Sequence, residues 1–291
     1  MSFVYASRSE KDFFIVADTK VKTNDVADKS WKPEVVHNVK KFGIIKNVIL
    51  SPDIVLGFAG NKSTYANSLV EFYYQKKPSL DDFIKRALCI HRAAAENDIE
   101  FIIAYWSVKK QNLVCIKNNR IYDNLPYAWI GSDRIYYSFE KAFYDKYPDG
   151  KADNLAVKQM VTDIMDSGVD DTVGRYIITA QYDLGDDSFH YREKYSINSA
   201  IIDLSIKPGE CIKFVQCTER GSYFYHIYES KEIVAIYVDE LRGGIVYQQN
   251  PFAEVVTGME YMRLPHMIRM SKIEFDKYIA QYGAWRTIDM M

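Results

Sequence analysis

Cysteine is scarce. The chain has four (Cys89, Cys115, Cys211 and Cys217), with no C-x-x-C spacing among them. That excludes a disulfide-stapled scaffold and argues against a structural zinc. Histidine is scarce too: five are dispersed, and H-E-x-x-H, P-loop and G-x-G-x-x-G patterns are all missing. No metal or cofactor is expected. Long apolar runs are also missing. The longest, such as FIIAYW, are strand-sized, well below the roughly 18 residues of a membrane span, so no membrane association is expected. Neither sign of charge dominates, the formal net charge being −2. This offers no basic surface for nucleic acid and no acidic tail. Arg8, Glu10, Lys11 and Asp12 interrupt the first stretch, so a cytoplasmic protein without a secretory leader is expected.

What is present is ordinary in bulk. Hydrophobic residues make up 48% of 291, enough for one large domain and an appendage. Tyrosine is abundant at 23, which suits recognition surfaces and points weakly to a homo-oligomer.

Periodicity divides the chain. FVYASR alternates, with Phe3, Tyr5 and Ser7 on one face and Val4 and Ala6 on the other. DFFIVADT reads as a strand buried on both sides. KTNDVADKSWKP is polar and reads as a loop. VKKFGIIKN and DIVLGFAG read as two strands joined by a turn at Ser51-Pro52-Asp53. Two helices follow: STYANSLVEFYYQ, capped by Ser63, and LDDFIKRALCIHRAAAEN, opened by Pro78-Ser79. His91 falls on the apolar stripe of the second, as a core residue. EFIIAYWS, QNLVCIK and NRIYD are strands. YAWIGS leads to SDRIYYSFEKAFYDKY and ADNLAVKQMVTDIMDSG, two more helices, the last stopping at Gly168. GRYIITAQYDLG is a further strand. Beyond about residue 190 the segments are short and turn-rich: INSAIIDLSI, ECIKFVQC, SYFYHIYES, EIVAIYVDE and GIVYQQ. One helix, SKIEFDKYIAQYG, lies near the end. Strands and paired helices in alternating blocks predict an α+β fold with segregated layers. The predicted domains are 1–191 and a β-rich extension, 192–291.

The front of the chain carries the candidate chemistry. With Met1 removed, Ser2 would be an N-terminal nucleophile whose own amine, of reference pKa about 7.7–8.0, takes the hydroxyl proton. Such a site needs a cation to disfavour the protonated amine, a carboxylate to orient that cation, and a backbone N–H for the oxyanion. Asp18 would lie near Ser2 across a hairpin. Lys40 and Lys41 sit on the next strand, and Gly60 ends the strand before a helix.

The order Ser2, VADTK, VKKF, GFAGN resembles the N-terminal nucleophile (Ntn) hydrolases of the proteasome β-subunit and simple bacterial proteasome-like peptidase type. The resemblance implies roles for Ser2 as nucleophile, Asp18 and Lys41 (with Lys40 as the alternative) as its supporting pair, and Gly60 as oxyanion donor. Asp18 keeps the family spacing of 16 positions (18 − 2). Ser132 in AWIGSD resembles the serine of the family's Gly-Ser-Gly turn, and Asp170 in DDTVG the aspartate of its Asp-x-x-Ser-Gly motif. Lys20 stands where the family has Arg, Asp133 where it has the second Gly, and Val173 where it has a second serine. The resemblance spans roughly residues 2–185. It implies a four-layer αββα sandwich and a hydrolase, a peptidase or amidase, acting on a peptide or other amide in a homo-oligomer. An unfoldase or another protein partner would dock through 192–291. The contrasting expectation is an inactive proteasome-like scaffold or binding protein, with its function in assembly and the extension.

Overall fold

A computed structural model describes residues 2–10, 12–18, 35–36, 39–42, 46–60, 63–94, 99–107, 110–170, 173, 177–193, 211–214, 222–227, 233–238, 242–252, 266–283 and 285–290. Met1, Lys20, the expected loop KTNDVADKSWKP and the expected strand INSAIIDLSI lie outside them. The protein is mixed α and β, its sheets antiparallel apart from one parallel pair. Among the described residues, no helix is long and apolar enough to cross a membrane.

The chain divides into two compact units. The first comprises Met1–Lys22 and Ile45–Lys194, the second Thr23–Ile44 and Tyr195–Met291. This differs from the expected simple cut after residue 191. The segment carrying VKKF belongs with the C-terminal unit, because its strand hydrogen-bonds there.

In the first unit, β1 (Phe3–Arg8) lies between β2 (Phe13–Asp18) and a later strand, β10. A second sheet begins with β5 (Asn47–Ser51) and β6 (Ile54–Gly60). Helices α1 (Ser63–Lys76) and α2 (Leu80–Ala93) follow. Then come β7 (Ile99–Ser107), β8 (Lys110–Lys117) and β9 (Arg120–Tyr122), completing the sheet order β5-β6-β7-β8-β9. The chain returns to the first sheet as β10 (Tyr127–Gly131). It then forms α3 (Asp133–Lys146) and α4 (Asn154–Asp166), and ends in the hairpin β11 (Ile177–Asp183) and β12 (Ser188–Glu193). That sheet runs β10-β1-β2-β11-β12.

The helices start where their caps dictate. Ser79, Ser132 and Asp153 each accept a backbone N–H three residues on, a contact worth about 1 kcal/mol per helix. Phe3, Tyr5, Phe14 and Val16 bury one sheet face against Ile135 and Phe139 of α3 and Val157, Val161 and Met165 of α4. The opposite face meets the second sheet closely: a Cβ on Gly57 would lie 2.6 Å from Ile15 Cδ1 and 2.9 Å from Val4 Cγ1. Both faces of β1 and β2 are therefore dry, which explains FVYA and FFIVA as near-continuous apolar runs. Helices α1 and α2 pack on the second sheet. There His91 is fully buried. Its Nδ1 lies 2.5 Å from the Ile99 carbonyl oxygen and its Nε2 accepts from Asn119 N at 2.9 Å. Both nitrogens are used, which fixes one neutral tautomer.

The second unit holds a separate sheet. Its strands are β3 (Val35–Val36), β4 (Val39–Phe42), β13 (Cys211–Phe214), β14 (Ser222–Ile227), β15 (Ile233–Val238), β16 (Gly243–Gln248), β17 (His266–Arg269) and β18 (Trp285–Met290). The order is β13-β18-β14-β15-β16-β17-β4-β3. Helix α5 (Lys272–Ala280) starts at a capping box formed by Ser271 and Glu274. It buries Phe275 and Ile279 against Tyr225, Ala235, Tyr237 and Val246.

Candidate functional site

The site is built where β1 begins. Ser2 is 6% exposed and Asp18 fully buried. The Phe3 N–H, one residue after Ser2, donates to Asp18 Oδ1 at 2.8 Å. The other oxygen, Oδ2, accepts from Lys46 Nζ at 2.7 Å. Lys46 is itself only 4% exposed. A carboxylate thus links the first peptide of β1 to a buried ammonium. Burial of such a pair is tolerable only because the two charges meet and Asp18 accepts a further hydrogen bond from the Phe3 N–H.

Here the structure departs from the sequence reading. Lys41 lies on β4, in the second unit, at the register Ile268↔Lys41, and Lys40 pairs with Val35. Within VKKFGIIKN, β4 ends at Phe42 and β5 starts at Asn47, in different sheets. The lysine beside Asp18 is Lys46, 28 positions on (46 − 18). A usable signal was available. Lys46-Asn47 interrupts an apolar run, and the next residue is equally buried and polar: Asn47 Nδ2 donates to Ile15 O at 3.2 Å and Ile178 O at 2.9 Å. A lysine and an asparagine inside GIIKNVIL must each have a buried partner.

Ser132 and Asp170 are brought to the same end. Ser132 N donates to the Ser2 carbonyl at 2.8 Å. Its hydroxyl donates to Asp170 Oδ2 at 2.5 Å and accepts from Ile135 N at 3.2 Å as the α3 cap. Asp170 is 4% exposed. Val173 is buried in the α3–α4 core rather than offering a polar contact. Gly131 is held against Ser2: its φ is +92°, and a Cβ there would lie 2.0 Å from Ser2 O and 3.0 Å from Ala59 Cβ. Ala59 precedes Gly60, the last residue of β6, whose φ of +146° only glycine adopts freely. The geometry therefore gathers Ser2, Asp18, Gly60, Ser132 and Asp170 within the first unit, together with Lys46.

Glu100 was not anticipated. It reaches from β7 to accept the Gly131 N–H at 3.1 Å, with Lys117 Nζ 3.8 Å away. Burial holds its carboxyl above the usual carboxylate range, against the attraction of Lys117. Lys117 in turn sits 3.6 Å over the Trp129 ring.

Among the described residues, one cluster has metal-ligand spacing: Asp183, Asp186 and His190 on the β11–β12 hairpin. Its side chains already have partners within the protein. His190 Nε2 is 2.6 Å from Asp186 Oδ2, and Arg192 Nη2 is 3.0 Å from Asp183 Oδ2.

Comparison of the sequence with protein-family models finds no match, and comparison with curated proteins finds none either.

Proposed function

We propose that the first unit is an Ntn amidohydrolase of the proteasome-like type, a peptidase in which Ser2, freed by removal of Met1, is the nucleophile. The observation that carries this reading is the buried Phe3–Asp18–Lys46 chain one residue from Ser2. The sequence of helix pair, sheet, sheet and helix pair supports it too, as the αββα sandwich expected of that class.

In this reading Ser2 Oγ attacks the amide carbonyl carbon while its proton passes to the α-amine. Lys46, oriented by Asp18, disfavours the protonated amine and stabilises developing negative charge. The Gly60 N–H receives the oxyanion. The α-ammonium returns the proton to the leaving amine as the C–N bond breaks, and water hydrolyses the resulting ester. Ser132 and Asp170 hold the Ser2 carbonyl and the loop beside it. A homo-oligomer, a cytoplasmic setting and a protein partner at 192–291 belong to the same proposal.

The competing reading is an inactive scaffold of the same fold, favoured by the apolar Val173. Intact mass after reaction with an electrophilic peptide probe separates the two. Loss of Met1 with a single adduct, abolished in Ser2→Ala, is the expected result. Retained Met1 without an adduct overturns the hydrolase.

A further inference from the structure

The opposite side of β1 carries a feature unrelated to Ser2. Tyr5 and Ser7 look towards α3 and α4, where a cavity of about 230 Å³ lies. Its walls are aromatic: Tyr5, Tyr127, Tyr136, Phe139, Phe143 and Tyr144. The rings brace one another. Tyr5 and Phe139 meet edge-on at 5.4 Å, and Tyr5 and Tyr127 stack at 6.3 Å. Phe143 and Tyr144 meet edge-on at 5.4 Å. Tyr127 and Tyr144 are 47% and 54% exposed, so the cavity opens to water beside them.

Two charged side chains line it, Glu140 and Arg8. Arg8 directs four hydrogen bonds to neighbouring acceptors. It donates to Leu125 O at 2.6 Å, Gln111 O at 2.7 Å and Asn124 O at 3.0 Å, and to Asn124 Oδ1 at 2.8 Å. Glu140 accepts from the Tyr136 hydroxyl at 3.1 Å. Burial holds the Tyr5 and Tyr136 hydroxyls well above the usual phenol range, which leaves Glu140 as the one acidic carboxyl among the lining residues.

We propose that this cavity binds an ammonium group carried on a small apolar body. Ring faces are negative and attract cations, most strongly where water is displaced. A carboxylate among them adds a charged acceptor, which disfavours carboxylate and phosphate ligands. The volume falls below that of drug-sized pockets, which limits the ligand to a few carbons and one ring. Phe139, Phe143 and Val157 supply the apolar wall for that body.

The protein carries its own reporter. Trp129 stacks on Tyr136 at 4.2 Å, so a ligand against Tyr136 alters its fluorescence. The test titrates the full chain with 2-phenylethylamine and with 2-phenylethanol, by calorimetry and by tryptophan fluorescence. The amine is expected to bind saturably and about tenfold tighter than the alcohol, a difference of about 1.4 kcal/mol. Glu140→Gln keeps the shape and removes that difference, while alcohol binding persists. Ser2→Ala binds the amine like the parent protein, which separates this site from the proposed hydrolytic one. Equal affinity for amine and alcohol overturns the proposal. So does an unaffected Glu140→Gln, loss of binding in Ser2→Ala, or no saturable binding up to about 10 mM.

Discussion

Replacing Lys46 by Met removes the ammonium that meets Asp18 Oδ2 at 2.7 Å, where the two side chains are 4% and 0% exposed. The methionine fills similar volume, so the change isolates charge from packing. Asp18 keeps the Phe3 N–H but stays buried without the lysine's charge. Breaking one half of a buried pair costs about 3–5 kcal/mol. For a unit of this size, that lowers its melting temperature by roughly 6–20 °C. Calorimetry on the full chain is the assay, since two units need not melt together. Asp18→Asn should cost a similar amount. The double variant Asp18→Asn/Lys46→Met should fall short of the summed single losses by about 2 kcal/mol or more, the signature of direct coupling. Lys41→Met is the control and should leave the first unit's transition within about 0.5 kcal/mol of the parent. A Lys46→Met protein melting within about 2 °C of the parent, or strictly additive losses, would refute the argument. On the proposed chemistry, Lys46→Met also slows acylation by roughly 10²–10⁴-fold, and Lys41→Met does not.

Three further outcomes follow from the same geometry. Gly131→Ala should destabilise by at least about 2 kcal/mol in urea titration, because its φ is +92° and the new Cβ would meet Ser2 O at 2.0 Å. Glu100 has a folded-state pKa raised by burial, so the folded protein holds this proton more tightly than the unfolded chain. Its contribution is present below the unfolded value and is lost as pH rises through the folded one. Glu100→Gln should therefore remove one downward step from the stability–pH curve above about pH 4.5, as followed by denaturant midpoints. Finally, burial pushes the Cys115 thiol up to about 12, whereas Cys89 is exposed. Iodoacetamide at pH 8 should label Cys89 in the native protein and spare Cys115, as read by peptide mass mapping.

The local code was legible and the long-range topology was not. Pro78-Ser79 announces a helix that the structure starts at the next residue, and Ser63, expected as a cap, is the first residue of α1. FVYASR and FFIVAD show their double burial in composition alone. β12 was overlooked because SFHYRE mixes Phe189 and Tyr191 with charged and polar neighbours, and its pairing with β11 belongs to the tertiary fold. Lys46 was missed for a different reason. VKKFGIIKN has one unbroken strand pattern, and nothing local says that its two ends join different sheets. The resemblance of VKKF to a lysine-bearing family strand favoured Lys41, with Lys40 as the alternative. The pairing Met267↔Phe42 joins β4 to a strand from the far end of the chain.

That pairing also sets a clock on synthesis. β4 hydrogen-bonds to β17, whose Met267 follows Phe42 by 225 positions (267 − 42). At roughly 5–20 residues per second, a ribosome needs about 11–45 s to supply the missing strand. During that interval β4 lacks the strand that later covers its edge, and an uncovered edge is a template for pairing with another nascent chain. The two adjacent lysines it carries, Lys40 and Lys41, are the residues that natural sheets use to keep such edges apart. On β4 they put two positive charges on the strand that waits longest for its neighbour.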